Sequence, residues 1–192
     1  MKYKKEGKRE LIIKTASHLF QCQGYHGTGL NQIIEESGAP KGSLYYHFPK
    51  GKEEIALEAI LLMKQQVLEE AQKDLDAKDS AVEAFQFHIE KIAADFDKKE
   101  DMEGLPIGLI ASETALTNEK IRCACQSAFQ EWQFFYVDKL QQFGYPKERA
   151  EELSVAINAM IEGGCILSLT SESGDPLRMI AKQLPLLLKR EE

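Results

Sequence analysis

At 192 residues, with 43% hydrophobic and 29% charged side chains, the chain is long enough to bury one large core or two small ones without disulfide or metal staples. Its net charge of −7 is uneven: nine Lys/Arg against four Asp/Glu make residues 1–52 net +5 and leave −12 for residues 53–192. A phosphate-binding surface is thereby confined to the N-terminal quarter, and the acidic remainder is excluded from that role by repulsion. MKYKKEGKRE opens the chain with no apolar run behind it, and no stretch approaches the ~18 apolar residues of a membrane span. A cytoplasmic protein with no membrane partner is the expectation.

The first predicted helix, residues 8–23, places Ile12, Ala16, Leu19 and Phe20 on one stripe and stops near Gly24. Thr28 is placed to cap a short second helix that turns Leu30, Ile33 and Ile34 inward, and Gly38 is placed to end it in the left-handed conformation. Pro40 then opens a third helix cheaply, because its missing N–H falls among the unpaired donors of a first turn. On that helix Leu44 and Phe48 share the inner face, whereas Gly42 and Tyr46 point away, flanked by Lys41, Ser43 and Tyr45. A glycine that admits close approach, beside tyrosine hydroxyls, His47, Lys41 and Lys52, suits entry into a DNA groove.

Beyond this head the pattern stays helical. Residues 52–75 carry Ile55, Ala56, Ala59, Leu62, Met63 and Val67 as a sustained stripe that would link head to body. A capping box, Ser80-Ala81-Val82-Glu83, begins the next helix, with Phe85, His88, Ile89, Ile92 and Phe96 along it. Lysines and acids over residues 95–103 form a solvated break, and residues 104–110 read as the start of a short buried helix. Thr117 is placed to cap a helix running to Phe143, with Phe129, Trp132, Phe135 or Tyr136, and Leu140 inward. Pro146 and Asp175-Pro176 open the last two, and Pro185 falls inside the final pattern. The fold class is all-α: a three-helix DNA-binding domain with a helix-turn-helix (residues 1–52) and a larger helical domain (residues 53–192), to which the resemblance described next assigns effector binding and dimerisation.

Residues 9–57 resemble the N-terminal DNA-binding domain of the TetR family of bacterial repressors. The likeness is carried by Ala16, Leu19 and Phe20, by the Gly24-Tyr25 and Thr28 turn, and by Lys41-Gly42-Ser43-Leu44-Tyr45-Tyr46-His47-Phe48. Residues 46–52, with Gly104-Leu105-Pro106-Ile107-Gly108 much later, are similar to an LmrA-type subgroup whose members respond to flavonoids or drugs. The resemblance implies that Thr28, Lys41, Tyr45, Tyr46, His47 and Lys52 hold the phosphate backbone, and that Lys41, Gly42, Ser43 and Tyr45 approach base edges. It also implies a homodimer paired through the last two helices, residues 153–169 and 177–188. In the first of these, Ala156, Ala159, Gly163, Gly164 and Ser168 would let a partner helix come close.

The same resemblance implies a small aromatic effector in the body. Met63, Phe85, His88, Ile92, Phe96, Leu105, Leu109, Trp132, Tyr136 and Met160 fall on faces that would point inward, with His88, Glu113 and Gln133 as polar groups among them. These positions equally describe an ordinary helical core. No metal pair, phosphate loop or nucleophile elbow is present, and the histidines are isolated, so neither catalysis nor a cofactor or metal is expected. Cys123 and Cys125 diverge on a helix and read as small hydrophobes. The function expected is a repressor released from a palindromic, double-stranded operator by a planar aromatic effector; a helical protein-interaction scaffold is the alternative.

Overall fold

The computed structural model describes residues 7–98 and 107–189. Regular structure among them is helical: α1 (Lys8–Gly27), α2 (Leu30–Ser37), α3 (Lys41–His47), α4 (Lys52–Asp76), α5 (Ala81–Asp97), α6 (Gly108–Thr114), α7 (Glu119–Gln142), α8 (Lys147–Ser171), α9 (Asp175–Ala181) and α10 (Leu184–Leu187). They fall in two compact units, Met1–Met63 with Ile107–Gln126, and Lys64–Pro106 with Ser127–Glu192.

In the first unit the stripe Ile12, Ala16, Leu19 and Phe20 is buried, together with Ile33, Leu44, Phe48, Ile55, Ala59 and Met63. Each large member of such a core contributes about 1.5–3 kcal/mol by leaving water. The regular part of α1 ends at Gly24, whose φ of +73° interrupts the helix. Gly38, at φ +62°, closes α2 and donates its N–H to the Glu35 carbonyl. One expected cap is displaced. Thr28 does not cap α2, because its buried hydroxyl donates to the Gly24 carbonyl at 2.9 Å, and Gly29 takes the cap position without a side-chain bond.

The core of the second unit runs from Ala71 and Leu75 of α4 through Phe85, Ile89 and Phe96 of α5, Tyr136 and Leu140 of α7, and Leu153, Ile157 and Ile161 of α8 to Leu177 and Leu184. Ser80 caps α5 by accepting the Glu83 N–H and also donates to the Glu83 carboxylate. At α7 the cap is Asn118, whose Oδ1 accepts the Ile121 N–H; the Thr117 hydroxyl is instead spent on the Glu113 carbonyl. The final pattern divides into α9 and α10, with Pro185 in the first turn of α10, where it can no longer interrupt a helix. α8 contains an 18-residue window of mean hydropathy 1.5, apolar and long enough by composition to cross a membrane, but 44% of that window is buried within the protein. Packing explains the composition: a side chain on Gly164 would overlap Leu177 and Ile180, so this part of α8 lies directly against α9.

Candidate nucleic-acid interface and effector cavity

The reading surface is built by punctuation. Gly38 ends α2, Pro40 occupies the N-cap of α3, and Leu44 and Phe48 anchor α3 at 0% and 1% exposure. With those two fixed, the period of the helix turns Lys41, Gly42, Tyr45 and Tyr46 outward; Tyr45 is 45% and Tyr46 81% exposed. Ser43 and His47 are half-buried. The His47 ring stands edge-on between Tyr46 (5.0 Å) and Phe48 (6.4 Å). A Cβ on Gly42 would meet nothing within 4 Å, so no packing inside the chain demands glycine there. Arg9 of α1 ties this layer to α4, lying over the Phe48 ring and pairing with Glu58 at 2.6 Å.

Two sequence-predicted phosphate ligands sit less openly. Thr28 is 1% exposed with its hydroxyl turned to Gly24. Lys52 is half-buried, its ammonium 4.4 Å from the centre of the Tyr25 ring. Burial lowers the Lys52 pKa, with the Glu113 charge acting in the opposite direction.

The candidate effector residues divide. His88, Ile92, Trp132 and Tyr136 line a cavity in the second unit with Val67, Asn158, Ile161, Glu162 and Cys165. Phe85 is fully buried beside it, its ring edge-on to Tyr136 at 5.3 Å. Met63, Leu109 and Glu113 belong to the first unit. Met160, half-buried on α8, and Gln133, which faces an open groove between α7 and α8, do not line the cavity. Leu105 lies outside the described residues.

The cavity's polar wall is already organised. His88 Nδ1 is 2.9 Å from Asp74 Oδ2, and its Nε2 lies 3.5 Å from the Tyr136 hydroxyl. Lys91 donates to the other Asp74 oxygen at 2.6 Å. Burial pushes the Asp74 carboxyl up, but the hydrogen bonds from His88 and Lys91 and their charges outweigh it and hold the group below its ordinary value. Paired in this way, an ionised Asp74 fixes the Nδ1–H tautomer and leaves Nε2 to face Tyr136. Burial, reinforced by Glu162 and Cys165, pushes the Tyr136 phenol up, so it stays protonated. The Cys165 thiol is pushed up by burial and then by Glu162. Trp132 Nε1 donates to the Lys64 carbonyl at 3.2 Å.

Sequence reasoning passed over Asp74, Asn158 and Glu162. The signals were present: Val67, Ala71 and Asp74 lie i, i+4, i+7 on the buried stripe of α4, and Asn158, Glu162 and Cys165 repeat that spacing on α8.

A trihelical head with an outward, basic and aromatic α3, joined to a larger helical body, defines a class of bacterial DNA-binding regulator. The family model described as bacterial regulatory proteins, tetR family, matches residues 12–59, and that of the transcriptional regulator LmrA/YxaF-like, C-terminal domain, matches residues 81–183. The chain belongs to the TetR family, with an LmrA/YxaF-like C-terminal domain, and is a DNA-binding transcriptional regulator rather than an enzyme. It is 50% identical over 182 residues to the HTH-type transcriptional regulator LmrA of Bacillus subtilis (strain 168), covering 95% of this chain and 97% of that one. To the HTH-type transcriptional regulator YxaF of the same organism it is 49% identical over 183 residues, covering 95% and 96%. Among solved structures, a TetR transcriptional regulator from Chloroflexus aurantiacus J-10-FL superposes with a TM-score of 0.81 at 25% identity, covering 96% and 95%.

Proposed function

We propose that the chain is a cytoplasmic homodimeric repressor that occupies a palindromic operator and is released by a small planar aromatic effector bound in the cavity of its second unit. The observation that carries the DNA side is the outward face of α3, on which Lys41, Gly42, Tyr45 and Tyr46 are exposed and Ser43 and His47 half-buried; in this reading Lys41, Gly42, Ser43 and Tyr45 approach base edges, and Lys41, Tyr45, Tyr46 and His47 hold phosphates. Lys52, half-buried at the start of α4, stands at the margin of that set, whereas Thr28, 1% exposed with its hydroxyl on the Gly24 carbonyl, is corrected from a phosphate ligand to a support of the turn before α2. Residues 1–52 read DNA in this view, and residues 53–192 bind the effector and the partner subunit.

One helix-turn-helix reads few base pairs; a two-fold dimer that sets its reading helices about 34 Å apart gains affinity and specificity. The dimer is supported by a face of α8 on which Val155, Ala159, Gly163, Ile166 and Leu167 are exposed, as are Met179 of α9 and Leu186 of α10; Gly164, packed on Leu177 and Ile180, and Ser168, fully buried, serve the protomer's own packing instead. A Cβ on Gly163 meets nothing within 4 Å inside the chain. Gly163→Arg is therefore expected to leave protomer melting nearly unchanged while shifting sedimentation toward monomer.

The effector reading rests on Trp132 and Tyr136 as stacking surfaces beside His88, Asn158 and Glu162. At about 30 Å³ the cavity holds one or two waters, whereas a drug-sized ligand fills about 300–1,000 Å³. An effector must therefore displace wall side chains, and a conformation with the wall opened is the one it favours by differential affinity. Tenfold release from DNA takes about 1.4 kcal/mol of such coupling. α4, one continuous helix with residues in both units, is the element that carries it.

Fluorescence anisotropy on DNA flanking the gene, with nonspecific competitor and then a panel of flavonoids, tests the reading. Tight binding reversed by one compound supports both parts. Tight binding reversed by none removes the flavonoid, and binding to neither flanking nor selected duplexes returns the chain to the scaffold alternative.

A further inference from the structure

Glu113 lies in the same compact unit as the reading helices, and its carboxylate is seated on the backbone of α1. At Gly24 the chain turns left-handed, and a Cβ there would come within 2.6 Å of the Glu113 carboxylate carbon. From that seat Glu113 Oε2 accepts the His26 backbone N–H at 3.0 Å, a donor that the break in α1 would otherwise leave to solvent. The Thr28 hydroxyl closes the other side on the Gly24 carbonyl at 2.9 Å. The turn from Gly24 to Thr28, which delivers the chain into α2, is thus held at both ends by side chains, one of them 87 residues away in sequence.

The grip is reinforced next to it. Lys52, at the start of α4, lies over the Tyr25 ring and feels the Glu113 charge. Four residues beyond Thr114, the corner between α6 and α7 takes a second hold: Asn118 Nδ2 and Lys120 Nζ donate to Glu53 of α4 at 2.9 and 2.7 Å. Neither Glu113 nor Glu53 suits a DNA contact, because a carboxylate repels phosphate.

We propose that Glu113 is a positioning residue for DNA binding: by holding the turn from Gly24 to Thr28 it sets how α2 and α3 are presented to the duplex, without touching DNA itself. The sign of its removal separates this from simple electrostatics. Deleting a carboxylate from a DNA-binding unit raises affinity if charge alone matters; loss of the turn's clasp lowers it.

The test uses the full chain and a duplex selected by it from random DNA. Glu113→Ala should lower affinity tenfold or more with the salt slope unchanged, since no phosphate contact is lost. Glu113→Gln keeps a carbonyl oxygen for the His26 N–H and should lose far less. In both variants, and without DNA, amide exchange across residues 24–29 reports the clasp: faster in Glu113→Ala, near wild type in Glu113→Gln, with α8 unchanged in each. Equal or tighter DNA binding by Glu113→Ala, or unchanged exchange in the turn, overturns the proposal. Should Glu113→Ala fail to fold, Glu113→Asp takes its place, since the side chain shorter by one methylene withdraws the acceptor from the His26 N–H at unchanged charge: lower affinity with faster exchange in the turn supports the clasp, and wild-type values in both overturn it. If the wild-type chain selects no duplex, the exchange result alone decides the clasp, and the failure belongs to the DNA-binding reading.

Discussion

The outer face of α3 and the cavity wall of the second unit carry similar side chains, tyrosine, histidine and amide or hydroxyl groups, in opposite states. On α3 the tyrosines face solvent, Tyr46 at 81% exposure, and Gly42 meets no neighbour, with Ser43 and His47 half-buried beside them. In the cavity wall they are bound to one another, His88 to Asp74, Tyr136 to His88, and Trp132 to the Lys64 carbonyl. A surface of the first kind is ready for its ligand as it stands. One of the second kind must break or exchange contacts before it admits a ligand, as the effector proposal requires.

Substitutions should separate the two regions sharply. Trp132→Ala removes a large, 3%-exposed ring and its indole bond, and should cost about 3–5 kcal/mol of stability in urea unfolding. A cost near zero would mean that the wall is open in solution. Asp74→Ala leaves His88 buried without its carboxylate and should cost about 1–3 kcal/mol.

The same carboxylate gives a pH signature. Because the folded Asp74 lies below its ordinary value, its contribution is complete above that value and is lost as pH falls through the folded one, in the acid range below about 4. Urea midpoints at pH 7 and pH 3 should therefore converge in Asp74→Asn relative to wild type; an unchanged acid loss would assign it to other groups.

Changes on α3 should spare the fold. Tyr46→Ala should weaken DNA binding by about tenfold, near 1.4 kcal/mol, at unchanged helicity, and Lys41→Ala should also reduce the salt slope by about 1. Full affinity in both would remove this face from the interface. The smallest change sharpens the contrast most: Gly42→Ala should gain about 0.5–1 kcal/mol of helix stability yet lose DNA affinity, since only an outside surface can object to the added methyl group.

Much of this was legible in order along the chain because the signals are local. Gly24, Gly38 and Pro40 punctuate the head where backbone conformation requires it, and the 3.6-residue period assigned Leu44 and Phe48 inward and Tyr46 outward. Caps were less secure where neighbouring hydroxyls competed, as Thr28 and Thr117 each found a carbonyl four residues back instead of a helix N–H.

Periodicity says that a side chain points inward, but not which interior receives it. Hydrophobic pattern and helix punctuation determined the all-helical head and the residues α3 presents, because both depend on contacts within a few residues. Only the tertiary structure decided that Glu113 clasps Gly24 and His26, and that Asp74 reaches His88 and Lys91 from another helix. Those pairings depend on how separate helices pack, and a buried polar group takes whichever partner that packing brings within hydrogen-bond distance.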